Sequence, residues 1–304
     1  MICDLQTQSQ QTMKTVKTKL FLLALLSAFS LQPLVLRAQG SLAPPGAPAP
    51  TMKTLDQIEA RTPVDATHTP GDSGDLFVIA YPGSYYLTTN IVGVSGKSGI
   101  LVGANNVTLD LNGFSVLGVA TALFGVDVPN ASITNVTVRN GIISGWTNPG
   151  PGYYGIVSYG RISHFEHLTV CGNSAGVQCG PGTVIENCTI SGNLGIGIDV
   201  FSDSLVVGNQ CFGNNATNAV GVPSIFIGGS NNRIEDNHVT GTGAGGYGIW
   251  IFASASYTNN LVIKNFVAGS GANNYSFNAS QIVGPLITTT GMITNVNPWA
   301  NFSY

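Results

Sequence analysis

Short runs of alternating apolar and polar residues recur along most of the chain, and glycine or asparagine bounds each run. In Gly-Ile-Asp-Val at 197–200, the alternation directs Ile198 and Val200 to one face of a strand and Asp199 to the other. The same opening recurs as GILV at 99, GVDV at 125, GIVS at 155, GVQC at 176, SIFI at 224 and GIWI at 248, with spacings of 26, 30, 21, 21, 27 and 24 residues. The pattern predicts a repeat protein built of short strands.

A second signature follows each opening, and it combines alternating apolar residues with asparagine and glycine. It occurs as NVTLDLNG at 106, NVTVRNG at 135, HLTVCGN at 167, NCTISGN at 187, NQCFGNN at 209, NHVTG at 237 and NFVAG at 265. Strand units without a helical period stack into a β-solenoid. Glycine and asparagine tolerate the positive φ of tight corners, and stacked asparagines can hydrogen-bond along the solenoid. We therefore expect an all-β solenoid with an apolar interior and asparagine ladders.

This repeat pattern resembles the right-handed parallel β-helix superfamily, which includes pectate lyases, polygalacturonases and alginate epimerases. The resemblance covers roughly residues 75–270 and implies a right-handed parallel β-helix of about seven to eight coils. The sequence contains none of the motif strings Asn-Thr-Asp, Gly-His-Gly, Arg-Ile-Lys, Asp-Pro-His-Glu or Trp-Ile-Asp-His that mark catalytic members. The resemblance therefore implies the fold and assigns no catalytic residue.

The first forty residues have the pattern of a secretory signal. Lys14, Lys17 and Lys19 precede the apolar run LFLLALLSAFS, and Ala38-Gln39-Gly40 offers small residues for cleavage. A membrane anchor is the alternative, but Gln32 and Pro33 interrupt the run before it reaches the ~20 residues of a span. We predict a signal peptide over 1–40 and a secreted, periplasmic or cell-surface protein without membrane attachment after cleavage.

The remaining segments divide into a linker, two caps and the solenoid. Residues 41–50 are a proline-rich linker, and residues 51–74 are predicted to cap the first coil with a short helix, because Met52, Leu55 and Ile58 share one helical face. The solenoid is expected over 75–270, and residues 271–304, which end in NPWANFSY, are expected to close its far end.

Charge narrows the choice of partner. After residue 40 the chain has seven lysines and arginines against thirteen aspartates and glutamates, a net charge of −6. This acidity disfavours nucleic acid, whose binding needs clustered cationic side chains. It also disfavours polyanionic glycans, unless a bound cation such as calcium bridges the two. We expect a monomer whose partner is a polysaccharide, with no cofactor required by the sequence other than this possible calcium.

Four cysteines remain after the signal, namely Cys171, Cys179, Cys188 and Cys211. An exported protein could oxidise them in any of three pairings, or they could stack in the interior as free thiols. Their spacing lacks paired Cys-x-x-Cys, so no zinc site is predicted.

Two columns of stacked residues have the chemistry of a site. In the first, Glu166 and Glu186 precede the ladder residue on adjacent coils, with His164 and His167 beside them and Arg161 at the strand start. Residues on adjacent coils lie ~4.8 Å apart, a separation near that of the carboxylates in retaining glycosidases. The cluster is a candidate acid–base pair tuned by histidine. It could equally hold a cation, or its side chains could face solvent, splay apart, or pair with Arg161 and the histidines.

The second column contains the outward residue of each opening, and it runs Leu101, Asp127, Val157, Gln178, Asp199, Phe226, Trp250. An acid followed by two aromatic residues is typical of surfaces that grip sugar rings. Trp146, Tyr153 and Tyr154 in the loop GWTNPGPGYYG are further candidates for substrate binding. The alternative is that the C-terminal tail folds back and buries Phe226 and Trp250.

Three functions remain open on the sequence alone. The first is an exported polysaccharide lyase or glycoside hydrolase, which only the Glu166/Glu186 column supports. The second is a surface protein that binds polysaccharide without catalysis, which the aromatic strip supports. The third is a structural repeat module, which the low content of charged residues (8%) favours.

Overall fold

The computed structural model describes residues 60–150 and 152–304, together with Lys17. The predicted signal peptide, the linker and the predicted capping helix around Leu55 lie outside the described residues, apart from Lys17. Residues 60–150 and 152–304 contain β-strands, turns and bends and no helix. Accordingly, no helix in the described part of the chain has the length and apolar character needed to cross a membrane.

In the described part of the chain, twenty-seven short strands, numbered in chain order, form two sheets. The smaller sheet has nine strands and contains all seven repeat openings. Its strands, in spatial order, are β2 (Asp75–Ile79), β5 (Ser98–Val102), β8 (Val126–Val128), β10 (Ile156–Ser158), β12 (Val177–Cys179), β15 (Ile198–Val200), β18 (Pro223–Ile227), β21 (Tyr247–Ile251) and β24 (Asn273–Ser276).

The larger sheet has eighteen strands and contains the second signature of each unit. Its strands are β1 (Thr62–Pro63), β3 (Gly83–Tyr86), β4 (Ile91–Val92), β6 (Val107–Asp110), β7 (Ser115–Leu117), β9 (Val136–Ser144), β11 (His164–Cys171), β13 (Val184–Glu186), β14 (Thr189–Ser191), β16 (Leu205–Val207), β17 (Gln210–Phe212), β19 (Arg233–Glu235), β20 (His238–Thr240), β22 (Leu261–Ile263), β23 (Phe266–Ala268), β25 (Ile282–Val283), β26 (Leu286–Ile287) and β27 (Asn301–Ser303).

Every pairing between these named strands is parallel, and each strand pairs with its counterpart one unit away. Ile198, for example, lies opposite Val177 on one side and Ile225 on the other. This is the coil geometry of a parallel β-helix, so the predicted fold is confirmed. The nine strands of the smaller sheet exceed the seven to eight coils expected, because β24 in the segment assigned to the C-terminal cap adds one more.

The interior is a continuous apolar stack. The inward residues of the openings, such as Ile156, Val177, Ile198, Ile225 and Ile249, are almost completely excluded from solvent. The four cysteines are free thiols, and Cys179, Cys188 and Cys211 are buried among the core residues. Burial raises the pKa of the Cys188 thiol to about 11. These cysteines act as small apolar core residues, as one of the two sequence interpretations proposed.

Buried asparagine ladders run along the solenoid beside the apolar stack. The longest links Asn209, Asn237, Asn265 and Asn301, and each Nδ2 donates to the Oδ1 of the next at 3.0–3.1 Å. Each Oδ1 also accepts the preceding backbone N–H, as from Asn209 to Asn237 at 3.0 Å. The ladders therefore satisfy polar groups that the coil corners would otherwise leave buried without partners.

The C-terminal tail closes the eighteen-stranded sheet. β27 pairs with β23 and places Phe302 opposite Phe266. Trp299, 48% exposed, contacts the Lys264 ammonium and lines a cleft of about 370 Å³ with Arg233, Leu261 and Ile282. The last residues of the tail, 299–304, thus lie on the eighteen-stranded sheet and do not cover Phe226 and Trp250, which lie on the other sheet.

Candidate functional site

The predicted column of outward residues exists with the register that the repeat openings imply. Leu101, Asp127, Val157, Gln178, Asp199, Phe226 and Trp250 are consecutive partners along the nine-stranded sheet. Val157 and Asp199 are buried, whereas Phe226 and Trp250 are half-exposed, because the loop that precedes β10 covers the middle of the column. The candidates for substrate binding therefore separate into a buried group and an accessible group.

Asp199 belongs to the buried group, contrary to the expectation of an exposed acid. Its side chain is only 7% exposed, and its Oδ2 accepts hydrogen bonds from the Tyr154 hydroxyl at 3.1 Å and Gln178 Nε2 at 3.0 Å. Burial raises the pKa of the Asp199 carboxyl, and the two hydrogen bonds oppose that rise. Tyr154 is itself buried, so this pair anchors the loop on the sheet and does not present a free carboxylate.

Trp146, from the same loop, is a core residue and presents no exposed ring face. Its side chain is fully buried, and its Nε1 donates to the Val116 carbonyl at 3.0 Å. Its ring fills the space above Gly99 and Gly125, where a Cβ atom would lie about 3.0 Å from the indole. Tyr153 stays half-buried, with its ring 5.5 Å from that of Phe124.

The accessible group is an aromatic cluster at the C-terminal half of the nine-stranded sheet. It consists of Phe226, Tyr247, Trp250, Phe252 and Tyr257, which are exposed or half-exposed. Trp250 lies at the centre, with ring centroids 5.3 Å from Phe226, 5.1 Å from Tyr247 and 6.0 Å from Phe252. Tyr257 extends the cluster, 6.1 Å from Phe252. The repeat openings predicted Phe226 and Trp250 but not the other three, although Tyr247 and Phe252 are only three and two residues from Trp250.

A row of charged side chains occupies the outer face of the eighteen-stranded sheet. In register it runs Asp110, Arg139, Glu166, Glu186, Val207, Glu235, Ile263. Glu166 and Glu186 are direct neighbours, as predicted. Gly208, Asp236 and Lys264 each lie one position after a residue of this row, at corners with φ between 55° and 66°.

Arginine and aspartate flank the two glutamates on one side. Arg139 Nη1 lies 3.7 Å from Glu166 Oε1, and its Nε lies 3.3 Å from Asp110 Oδ2 without forming a hydrogen bond. Arg61 also donates to Asp110 Oδ2 at 3.3 Å. Arg139 therefore has the place beside the glutamates that the sequence analysis gave to Arg161, whose backbone instead bridges to Thr134.

Histidine flanks the glutamates on the other side. His164 Nε2 donates to Glu186 Oε1 at 2.8 Å and lies 4.0 Å from Glu166 Oε2. His167 Nδ1 lies 3.7 Å from the same Glu166 oxygen, but its side chain is mostly in solvent. One donor atom each from His164, Glu166 and Glu186 falls within 4.8 Å of the others. These three residues could share a proton or hold a metal ion.

Asp127 is a perturbed carboxyl that the sequence analysis placed in the column without assigning it a role. Burial, assisted by the charge of Asp75, raises its pKa to about 6. Its neighbours in the column, Leu101 and Val157, are apolar. The alternation of the opening identified it as outward-facing, but only the packing of the neighbouring coils accounts for its burial.

The family comparison agrees with the coil architecture. A family model described as a right handed beta helix region matches residues 121–284. A cell surface glycoprotein of Methanothermus fervidus is 28% identical over 229 residues, which cover 66% of this chain and 35% of that protein. The chain thus matches about a third of that relative's length. Among solved structures, the A-module of the mannuronan C-5 epimerase AlgE6 from Azotobacter vinelandii aligns over 75% of both chains with 12% identity and a TM-score of 0.33.

Proposed function

The chain belongs to the right-handed β-helix family, and from that premise we propose that it is an exported protein of the cell surface that binds polysaccharide through the aromatic cluster. The similarity to a cell surface glycoprotein supports the location. The observation that carries the binding function is the group of half-exposed rings centred on Trp250.

The geometry of the cluster suits a chain of sugar rings. Sugars present apolar C–H faces that stack on aromatic rings, and Trp250 with Phe226 and Phe252 offers such surfaces on two adjacent coils. Phe252, 44% exposed, is continuous with the rings of Phe226, Trp250 and Tyr257, and contiguous exposed apolar patches are typical of surfaces that receive a partner. The net charge of −6 after residue 40 favours a neutral polysaccharide over a polyanionic one.

Binding can be measured against a panel of neutral and uronic-acid polysaccharides by affinity electrophoresis or calorimetry, which do not depend on tryptophan fluorescence. We expect Trp250→Ala to weaken binding by about tenfold or more, which corresponds to ~1.4 kcal/mol. Trp299→Ala is the matched control, because Trp299 is also exposed but lies on the other sheet. Equal affinity of Trp250→Ala and the unaltered protein, with both folded by circular dichroism, would exclude the aromatic cluster as the binding surface.

A second candidate function is cleavage of the bound polysaccharide by Glu166 and Glu186, as a glycoside hydrolase or a lyase. The register that places the two side chains on neighbouring strands favours it, since one carboxyl group can donate a proton while the other accepts one. His164 and His167 would orient or tune the pair. Glu166→Gln and Glu186→Gln should each lower product release by ~10²–10⁴, whereas His238→Ala, an exposed histidine on the same sheet, should not. Unchanged release in both glutamine variants would leave binding alone as the function.

A further inference from the structure

The row of charged side chains on the eighteen-stranded sheet contains a set of metal donors that is separate from the aromatic cluster. We propose that His164, Glu166 and Glu186 bind a divalent transition metal ion such as Zn²⁺. The inference does not depend on polysaccharide binding, because the two sets of residues lie on different sheets.

The parallel coil explains why the three donors converge. His164 and Glu166 are two residues apart on β11, so both side chains leave the same face of the strand. Glu186 lies directly opposite Glu166 on β13 of the next coil. Two donors from one strand and one from its neighbour form a triangle, and the side away from the sheet stays open to water.

The distances fit a metal ion after small side-chain movements. Metal–nitrogen and metal–oxygen bonds of about 2.0–2.2 Å place the ligand atoms of a tetrahedral site about 3.3–3.6 Å apart. The observed separations from His164 Nε2, 2.8 Å to Glu186 and 4.0 Å to Glu166, lie on either side of that range. All three side chains are partly buried, so only part of their conformational freedom remains to be lost on binding.

The balance of charge separates these glutamates from the other carboxylates of the row. Asp110 has Arg61 and Arg139 within 3.3 Å, and Glu235 has both Arg233 and Lys264 as ion-pair partners. Arg139 also approaches Glu166 Oε1, which leaves Oε2 directed toward the histidines. Among the described residues, the ion-pair partner found for Glu186 is His164. A divalent cation would neutralise the negative charge of Glu166 and Glu186 that the neighbouring arginines do not compensate.

The types of donor atom also indicate which metal ion these residues would bind. Ca²⁺ and Mg²⁺ prefer oxygen ligands throughout, whereas an imidazole nitrogen with carboxylates suits Zn²⁺ and similar ions. Three protein ligands with an open fourth position are typical of zinc sites that keep a bound water. His167 Nδ1, 3.7 Å from Glu166 Oε2, lies beside that ligand outside the site, beyond hydrogen-bond distance.

The test is isothermal titration of the tag-free protein, stripped with a chelator, with ZnCl₂ and separately with CaCl₂. We expect one Zn²⁺ to bind per chain. We expect His164→Ala and Glu186→Gln each to lower the affinity for Zn²⁺ by at least about tenfold. His238→Ala, in which a histidine stacked on Phe266 on the same sheet is removed, should bind as the unaltered protein does. Circular dichroism of each variant shows whether the coil is intact.

Three results would overturn the inference: no saturable Zn²⁺ binding, equal binding by His164→Ala, or Ca²⁺ binding as tightly as Zn²⁺. The measurement is independent of any polysaccharide, so failure of the aromatic cluster to bind glycan does not affect it. It also separates the two uses of the glutamates. Product release that survives the chelator would assign them to direct proton transfer, whereas stoichiometric Zn²⁺ bound by these side chains assigns them to the metal.

Discussion

Replacement of Asn237 by alanine would interrupt the longest asparagine ladder at a fully buried position. Its Nδ2 lies within hydrogen-bond distance of three oxygens, the Asn265 Oδ1 and the Glu235 carbonyl at 3.0 Å and the Val206 carbonyl at 2.9 Å. Its Oδ1 accepts both the backbone N–H and the Nδ2 of Asn209 at 3.0 Å. Asn237 does not have a positive φ, so alanine fits the backbone and the effect comes from the lost side chain alone.

The magnitude follows from what is left without a partner. The Asn209 backbone N–H loses its acceptor in a buried position, which costs about 1–3 kcal/mol. The two lost bonds between asparagine side chains cost about 1 kcal/mol each, because Asn209 Nδ2 keeps the Ile185 carbonyl and Asn265 Oδ1 keeps the Asn237 backbone N–H. We expect Asn237→Ala to lower the free energy of unfolding by about 3–5 kcal/mol.

Urea unfolding followed by far-ultraviolet circular dichroism measures this loss. Asn105→Ala is the matched control, because Asn105 Oδ1 also links two coils, accepting the Thr134 N–H at 2.9 Å, but it is exposed to water. Water can replace that bond, so the control should lose about 1 kcal/mol or less. A loss in Asn237→Ala no larger than in Asn105→Ala would refute the argument that buried ladders hold the coils together.

Two further predictions concern the nine-stranded sheet. The folded-state pKa of Asp127, about 6, lies above its ordinary value of 3.8, so the folded protein binds the proton more tightly and stability should fall as pH rises from about 4 to about 6. Asp127→Asn should therefore raise the free energy of unfolding at pH 7 by up to about 3 kcal/mol and have little effect at pH 4. Urea unfolding at both pH values measures this difference. An equal gain in stability at both pH values would contradict the prediction. Gly176→Ala should destabilise the protein by several kcal/mol, about 3 or more, because its Cβ would lie 2.2 Å from the Gly197 carbonyl oxygen of the next coil. Thermal unfolding measures this against Gly74→Ala, whose Cβ has no neighbour closer than 3.7 Å, and equal melting temperatures would show that the coils can separate locally.

The sequence predicted the fold and the register of the outward column, because each opening has the same short alternation after its glycine. That register placed Phe226 beside Trp250, and the structure has the same pairing. The ladder position that follows Glu166 and Glu186 was predicted less well. Asn187 lies at a corner with positive φ, whereas Asn209 is a ladder residue opposite Cys188 on the neighbouring coil. Asparagine therefore occupies two adjacent positions of the repeat, and the sequence pattern did not distinguish them.

For the candidate sites too, the sequence predicted the direction of the side chains but not their accessibility. Alternation within a strand determined that Glu166, Glu186, Phe226 and Trp250 point outward, because side-chain direction is a local property with a period of two. Whether an outward residue is accessible depends on loops from other coils, and so only the tertiary structure shows that Tyr154 covers Asp199 and that Trp146 fills the core. The C-terminal tail is the same case: its composition suggested a cap, but pairing with β23 decided which sheet it lies on. Local periodicity therefore fixes the direction of a side chain, and long-range packing decides whether solvent or a ligand reaches it.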